Sequence, residues 1–178
     1  VGVELTNKEI RLAQISTNKA NQWILDKFFI HSIDLPDDAL VLDNADKVSD
    51  ELAIALQKSK IVTPNAAIAI PVTSAIIRVI TAPLMNDEEL AKAIDTNSLW
   101  ENLVQLTDNL DDYSIFHQII NRNSKNNTME ILFVASKLAD VNAYTSIVKK
   151  AGLAPVIMDV RCFTLKNAFD NTKFLAAT

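Results

Sequence analysis

Residues 151–169 read AGLAPVIMDVRCFTLKNAF, and this stretch decides the fold because it combines a helix end, a strand and a second helix. Gly152 is well placed as the glycine that follows the last turn of a helix. Residues 155–160 predict a strand, and residues 163–169 predict an apolar helix. We expect that helix to return to the N-terminal part of the chain, which makes the preceding region an insertion.

The N-terminal part predicts an α/β unit. Alternating apolar residues indicate strands at 1–6 and 9–16, and a third strand follows at 23–35, so the three form an antiparallel meander. A helix is expected to begin with Asp46 as its N-cap. Residues 66–72 form a continuous apolar run, which predicts a strand buried on both faces of the sheet.

The region from 73 to 160 has a different pattern and predicts a compact α+β subdomain. Its first helix carries one apolar stripe that Asn97 interrupts, so we expect a kink or break there. The predicted elements are a strand at 75–82, helices beginning near Asp87 and Leu138, a hairpin of 113–121 with 129–136, and the strand at 155–160.

Composition limits the classes of function. The 178 residues carry a formal net charge of -5 and no run of Lys and Arg, which argues against binding to nucleic acid. Cys162 is the single cysteine, so neither an internal disulfide nor a cysteine zinc site is expected. The longest near-apolar stretch, 66–79, is too short and too polar to span a membrane. The chain lacks an initiator Met, and we expect it to be an excerpt of a longer protein.

Five segments, in order along the chain, resemble the PilM family of type IV pilus assembly proteins. They are residues 69–71 (AIP), 77–83 (IRVITAP), 88–90 (EEL), 100–101 (WE) and 151–169. The first two resemble the segment where a strand of the first PilM subdomain enters the inserted one. The resemblance covers nearly the whole chain.

This resemblance implies a partial actin-like, ribonuclease H-like α/β fold, related to the cell-division protein FtsA. Residues 1–72 plus 161–178 would form subdomain 1A, and residues 73–160 would form the inserted α+β subdomain 1C. The family implies a cytoplasmic scaffold, peripheral to the bacterial inner membrane, that binds the short N-terminal peptide of a PilN-like membrane protein. Other pilus platform proteins are further implied partners, and self-association is left open.

The first hairpin turn is where nucleotide chemistry would lie. Actin-like ATPases carry Asp-x-Gly-Ser/Thr there, whereas this chain has Glu4 and Thr6 at the aspartate and glycine positions. Thr6, Asn7 and Lys8 are the candidate donors to a phosphate, and a plain hairpin turn is the alternative. No glycine-rich phosphate loop is present. We therefore expect this chain alone to bind no cofactor and to be no self-sufficient enzyme, although a full-length form could bind ATP and Mg²⁺.

The second candidate site is a peptide groove near the two subdomains, which the resemblance implies. A strand edge with side-chain pockets suits an extended apolar peptide. The candidate wall residues are Ile77, Val79, Trp100 and Leu103. The alternative for each of them is an ordinary place in the core.

Other chemistry has little support in the sequence. No catalytic residue and no metal site is predicted, because His31 and His117 lack ligand spacing and the Asp37-Asp38 pair fits a loop. Three other functions remain open. They are a nucleotide-gated actin-like ATPase completed by a second domain, the cytoplasmic domain of a bitopic secretion or pilus protein, and an FtsA-like cell-division protein.

Overall fold

The computed structural model describes residues 1–104, 106 and 108–173. Among these described residues, no helix is both long and apolar enough to cross a membrane. The strands are β1 (Gly2–Leu5), β2 (Glu9–Thr17), β3 (Trp23–Ser32), β4 (Asn65–Ile70), β5 (Ile76–Pro83), β6 (Tyr113–Asn123), β7 (Thr128–Lys137) and β8 (Ala154–Val160). The helices are α1 (Ala45–Ser59), α2 (Asp87–Asp95), α3 (Ser98–Leu103), α4 (Leu138–Lys150) and α5 (Arg161–Lys173).

The chain divides into two compact units. Unit 1 contains Val1–Val72 together with the chain from Asn142 onward, and unit 2 contains Thr73–Val141. The inserted subdomain was predicted to end at residue 160, whereas unit 2 ends at Val141. The difference arises because β8 pairs in parallel with β4 and therefore belongs to the sheet of unit 1. Most of α4 belongs there too, as Ser49 Oγ on α1 donates a hydrogen bond to the carbonyl of Ile147. Of the predicted segment 161–178, residues 174–178 lie outside the described residues.

Unit 1 is built on a five-stranded sheet with the order β3-β2-β1-β4-β8. The first three strands pair in antiparallel fashion, which is the predicted meander, while β4 pairs in parallel with β1 and β8. Helix α1 covers one face with the buried residues Val48, Leu52 and Ala55. Asn44, rather than Asp46, is its N-cap residue, and Asp46 lies in the first turn.

The central strand β4 differs from its prediction. Ala66, Ile68 and Ile70 are buried on the face that α1 covers, but Ala67 and Ala69 point the other way and are only half-buried. Helix α5 lies on this second face, where it packs against β4 and β8. Burial of β4 on both faces would require a full layer of helices on the second face. The prediction was therefore wrong for that face.

Unit 2 has a three-stranded antiparallel sheet with the order β5-β7-β6. Asn86 begins α2 through a capping box with Glu89, in which each side chain accepts a hydrogen bond from the other residue's backbone N–H. Asn97 has a positive φ of 56° and separates α2 from α3, which is the predicted break. Leu90 and Trp100 from these helices pack with Phe133 and its neighbours to form the core.

Candidate functional site

The turn between β1 and β2 is closed by its own hydrogen bonds. Thr6 Oγ1 donates to the carbonyl of Glu9 at 2.8 Å and accepts from the backbone N–H of Glu9 at 2.9 Å. It also accepts from the backbone N–H of Lys8 at 3.3 Å. The backbone N–H of Thr6 donates to the Glu9 carbonyl at 3.0 Å. A hydroxyl that satisfies its own turn in this way is typical of Ser and Thr in tight loops.

Asn7 and Lys8 bind a neighbouring loop, residues 35–37, which we call the clasp loop. Asn7 Nδ2 donates to the carbonyl of Asp37 at 2.8 Å, and Lys8 Nζ donates to the carbonyl of Leu35 at 3.1 Å. Lys8 also forms an ion pair with the Asp37 carboxylate. The three predicted donors, Thr6, Asn7 and Lys8, therefore all have partners within the chain.

The ion pair between Lys8 and Asp37 is sensitive to acid. Lys8 lowers the pKa of the Asp37 carboxyl, first through the side-chain hydrogen bond and then through its charge. The small stabilisation from such an exposed pair is therefore present above the ordinary pKa of an aspartate, and it is lost as the pH falls through the lowered value.

Glu4, which the resemblance predicts to stand at the position of the metal-associated aspartate, lies between two arginines. Its carboxylate is 3.1 Å from Arg11 Nη1. Arg161 Nε, at the start of α5, lies 2.6 Å from Glu4 Oε1 without the alignment of a hydrogen bond. The Glu4 side chain is only 20% exposed. Its charge is thus compensated by the protein itself.

These residues, as folded, do not fit a bound phosphate and its Mg²⁺. A phosphate loop offers free N–H groups and close approach of the backbone, for which glycine is suited. Here the N–H groups of Thr6, Lys8 and Glu9 point to partners inside the turn, and Thr6 adds a branched side chain. Glu4 is paired with Arg11 and Arg161, so its carboxylate is not free to hold a hydrated metal.

The four predicted groove residues lie on opposite sides of the sheet in unit 2. Trp100 is 1% exposed, and its ring centroid lies 5.1 Å from that of Phe133. Leu103 packs against the same core. Ile77 and Val79 belong to β5 and point to the other side of the sheet, because they alternate with the buried residues Ile80 and Ala82.

Cross-strand pairing places Ile77 and Val79 beside apolar residues of β7 and β6, and together they form an apolar surface. Ile77 pairs with Val134, which pairs in turn with Phe116, while Val79 pairs with Leu132. Val79 and Phe116 are each 60% exposed, Ile77 and Leu132 are half-buried, and Val134 is buried at 8%. The outer face is defined here as these five residues: Ile77, Val79, Phe116, Leu132 and Val134. Polar residues lie beside it on the same side of the sheet, where Thr81 pairs with Glu130, so the apolar surface is a local patch.

Sequence reasoning missed Phe116, Leu132 and Val134, although a signal for them exists. The predicted hairpin placed Phe116 and Val134 on adjoining strands, and alternation within each strand would have put both on the side opposite the core. The missing step was the pairing of β5 with β7, which joins residues 45 to 59 positions apart, from Pro83 with Thr128 to Ile76 with Ala135. No local pattern specifies that pairing.

Comparisons with known proteins identify the family. The model of the type IV pilus assembly protein PilM family matches residues 2–176. The fold is similar to that of a solved PilM-PilN type IV pilus biogenesis complex, with a TM-score of 0.70 and 18% identity over 91% of this chain and 47% of that one. It is also similar to the cytoplasmic domain of EpsL, an inner membrane component of the type II secretion system of Vibrio cholerae.

The match to EpsL has a TM-score of 0.50 and 11% identity, covering 88% of this chain and 55% of that one. The chain thus spans about half the length of the solved structures it matches. No curated protein matches it by sequence. The prediction of a partial actin-like α/β fold is confirmed, and the observed fold is a mixed α/β one with two sheets. Because the family model covers nearly the whole sequence, the chain belongs to the type IV pilus assembly protein PilM family.

Proposed function

We propose that this chain is a partner-binding scaffold of type IV pilus assembly that binds the short cytoplasmic N-terminal peptide of a PilN-like membrane protein. Through that peptide, and through other proteins of the pilus platform, it would be held at the cytoplasmic side of the bacterial inner membrane. The observation that carries the proposal is the outer face of unit 2, an apolar surface on a sheet whose outer strands are β5 and β6.

The chemistry of the outer face suits an extended apolar peptide. An added strand forms main-chain hydrogen bonds with an edge strand, and alternate side chains of the peptide enter apolar pockets. Val79 lies on the outer strand β5 and Phe116 on the outer strand β6, so an apolar contact is available at either edge. The family match and the likeness to a PilM-PilN complex support PilN as the source of the peptide.

A binding experiment tests this proposal directly. The cytoplasmic N-terminal peptide of the PilN-like protein from the same organism, labelled with fluorescein, would be titrated with the folded chain and followed by anisotropy. We expect saturable binding in the micromolar range, and at least tenfold weaker binding of a scrambled peptide. Equal binding of the two peptides, or no binding of either, would contradict the proposal.

We further expect this chain to bind Mg-ATP weakly or not at all. The donors of the β1–β2 turn are engaged by Glu9 and by the clasp loop, so a phosphate would have to displace those hydrogen bonds. Isothermal titration calorimetry with Mg-ATP measures this, and the Lys8→Ala variant should behave as the unsubstituted chain does. Sub-micromolar affinity for Mg-ATP, reduced by Lys8→Ala, would show that the turn is a nucleotide site after all.

A further inference from the structure

The outer strand β5 has an edge whose hydrogen-bonding direction follows from its pairing with β7. Beyond the last pair of this ladder, Pro83 with Thr128, the backbone N–H of Leu84 donates to the carbonyl of Asn127 at 3.0 Å. In an antiparallel ladder, facing residues exchange such bonds at every second position. The ladder keeps one register throughout. The residues of β5 that direct their N–H and C=O groups to β7 are therefore Ile76, Arg78, Ile80 and Ala82.

The alternate residues of β5 direct their backbone groups away from the sheet. They are Ile77, Val79 and Thr81, followed in the same phase by Pro83, whose missing N–H leaves no ladder bond unmade. Within the part of the chain that the structure describes, the backbone groups of the first three form no hydrogen bond outside the sheet. Val79 and Thr81 are exposed and Ile77 is half-buried. This edge is therefore open to an added strand.

On β5, the outward backbone groups and the outer face belong to the same residues, Ile77 and Val79. On β6 they are separate. The same alternation turns the backbone groups of Phe116 inward to Val134 of β7, and it turns those of Ile115 and His117 outward. The side chains of Ile115 and His117 lie on the core side of the sheet, where Ile115 packs against the core and the His117 ring centroid lies 5.8 Å from that of Trp100.

The edge of β6 is also interrupted, whereas that of β5 is continuous. The register of β6 against β7 shifts between Ile119 and Asn121, and this leaves Ile120 without a partner across the ladder. A bulge of this kind bends its strand, and sheets commonly use one to block the addition of another strand. The geometry therefore favours β5 over β6 as the edge that receives a peptide.

We propose that the peptide of the PilN-like protein adds to β5 as the next strand of the three-stranded sheet, bound to the outward backbone groups of Ile77, Val79 and Thr81. This inference rests on the proposed function and adds to it the edge and the alternation of the peptide. The usable edge, residues 77–81, ends at Pro83, so it suits a short extended segment rather than a full strand of a second copy.

The pairing defines which features of the peptide are recognised. Every second peptide residue turns its N–H and C=O groups to β5, whichever way the peptide runs. Alternate side chains of the peptide lie on the outer side of the sheet beside Ile77 and Val79, and these should be apolar. Main-chain hydrogen bonds then supply affinity, and the alternate apolar side chains supply specificity.

Amide hydrogen exchange, followed residue by residue by NMR, decides between the two edges. In the free chain the N–H groups of Val79 and Thr81 should exchange rapidly. Saturating peptide should slow their exchange and that of Ile77 by roughly tenfold or more. The outward N–H groups of Ile115 and His117 should keep their exchange rates. Protection of these two instead, or of neither edge while the peptide binds, would overturn the proposal.

Peptides with a single N-methyl group test the pairing without changing the protein. A methyl group on an N–H that points to β5 removes a hydrogen bond and blocks close approach of the strands. We expect binding to weaken by roughly tenfold at every second position of the paired stretch, and by less than about threefold at the positions between. Small effects without this alternation would contradict strand addition.

The matched variants Thr81→Pro and Thr81→Val test the same bond from the protein side. Thr81→Pro removes an outward N–H but no ladder bond, as Pro83 already does on this strand, whereas Thr81→Val keeps the N–H. We expect roughly tenfold weaker peptide binding in Thr81→Pro and unchanged binding in Thr81→Val, with melting temperatures recorded for both. Binding no better than that of a scrambled peptide would contradict the proposed function and this inference together. Specific binding that is insensitive to Thr81→Pro and to N-methylation would overturn the assignment to β5 alone.

Discussion

Replacing Trp100 with alanine is expected to lower the free energy of unfolding of unit 2 by about 3–5 kcal/mol. The indole is 1% exposed, and its ring centroid lies 5.1 Å from that of Phe133 and 5.8 Å from that of His117. Removing it takes away the largest fully buried side chain and leaves a cavity between α3 and the sheet. That cavity cannot collapse easily, because the facing strand β7 is the middle strand of its sheet.

The other tryptophan provides a matched control. Trp23 is 60% exposed on β3, so Trp23→Ala removes the same group from a mostly solvated position and should cost less than about 1 kcal/mol. Urea unfolding followed by far-UV circular dichroism measures both variants. Equal losses of stability in the two variants would show that Trp100 is not the centre of the unit 2 core.

How much of the fold and of the candidate site could be predicted from the sequence differs between the two units. Helix α3 and its break from α2 were predictable, because the apolar stripe and Asn97 are local features. The role of Trp100 was not, since a helical stripe has the same spacing whether it faces a core or lines a groove. Whether Trp100 lies in a core or in a groove depends on which sheet residues lie opposite it. Here they are Phe133 and His117, and their position is set by the pairing of strands that are distant in sequence.

The β1–β2 turn shows the same limit of local sequence patterns, which do not specify contacts with distant parts of the chain. Its residue types indicated donors, and Thr6, Asn7 and Lys8 are indeed polar groups at the predicted turn. Whether donors are free depends on their partners, and the carbonyl that binds Asn7 is on Asp37, 30 residues further along the chain. Likewise, Glu4 was recognisable as a replaced aspartate, but nothing local indicated that Arg161 would lie beside it.

Substituting Val79 with aspartate is expected to weaken binding of the PilN-type peptide by roughly 10- to 100-fold, or about 1.4 to 2.8 kcal/mol. Val79 lies in the outer face, 60% exposed, opposite Leu132. A carboxylate there would lose its water when an apolar peptide covers it, and no cation is placed to compensate among the five residues of the outer face. Because the free side chain is mostly solvated, the stability of the chain should change little.

Val62 provides a matched control for the Val79→Asp substitution. It is a second exposed valine, 83% exposed, in the loop between α1 and β4. Val62→Asp adds the same charge to the chain and should leave peptide affinity unchanged, while Val79→Ile should retain binding. Anisotropy titration of the three variants, with melting temperatures recorded in parallel, separates lost contact from lost structure. If Val79→Asp bound the peptide as tightly as Val62→Asp does, the peptide would have to lie away from the outer face, and Ile77 and Val79 would have no part in recognising it.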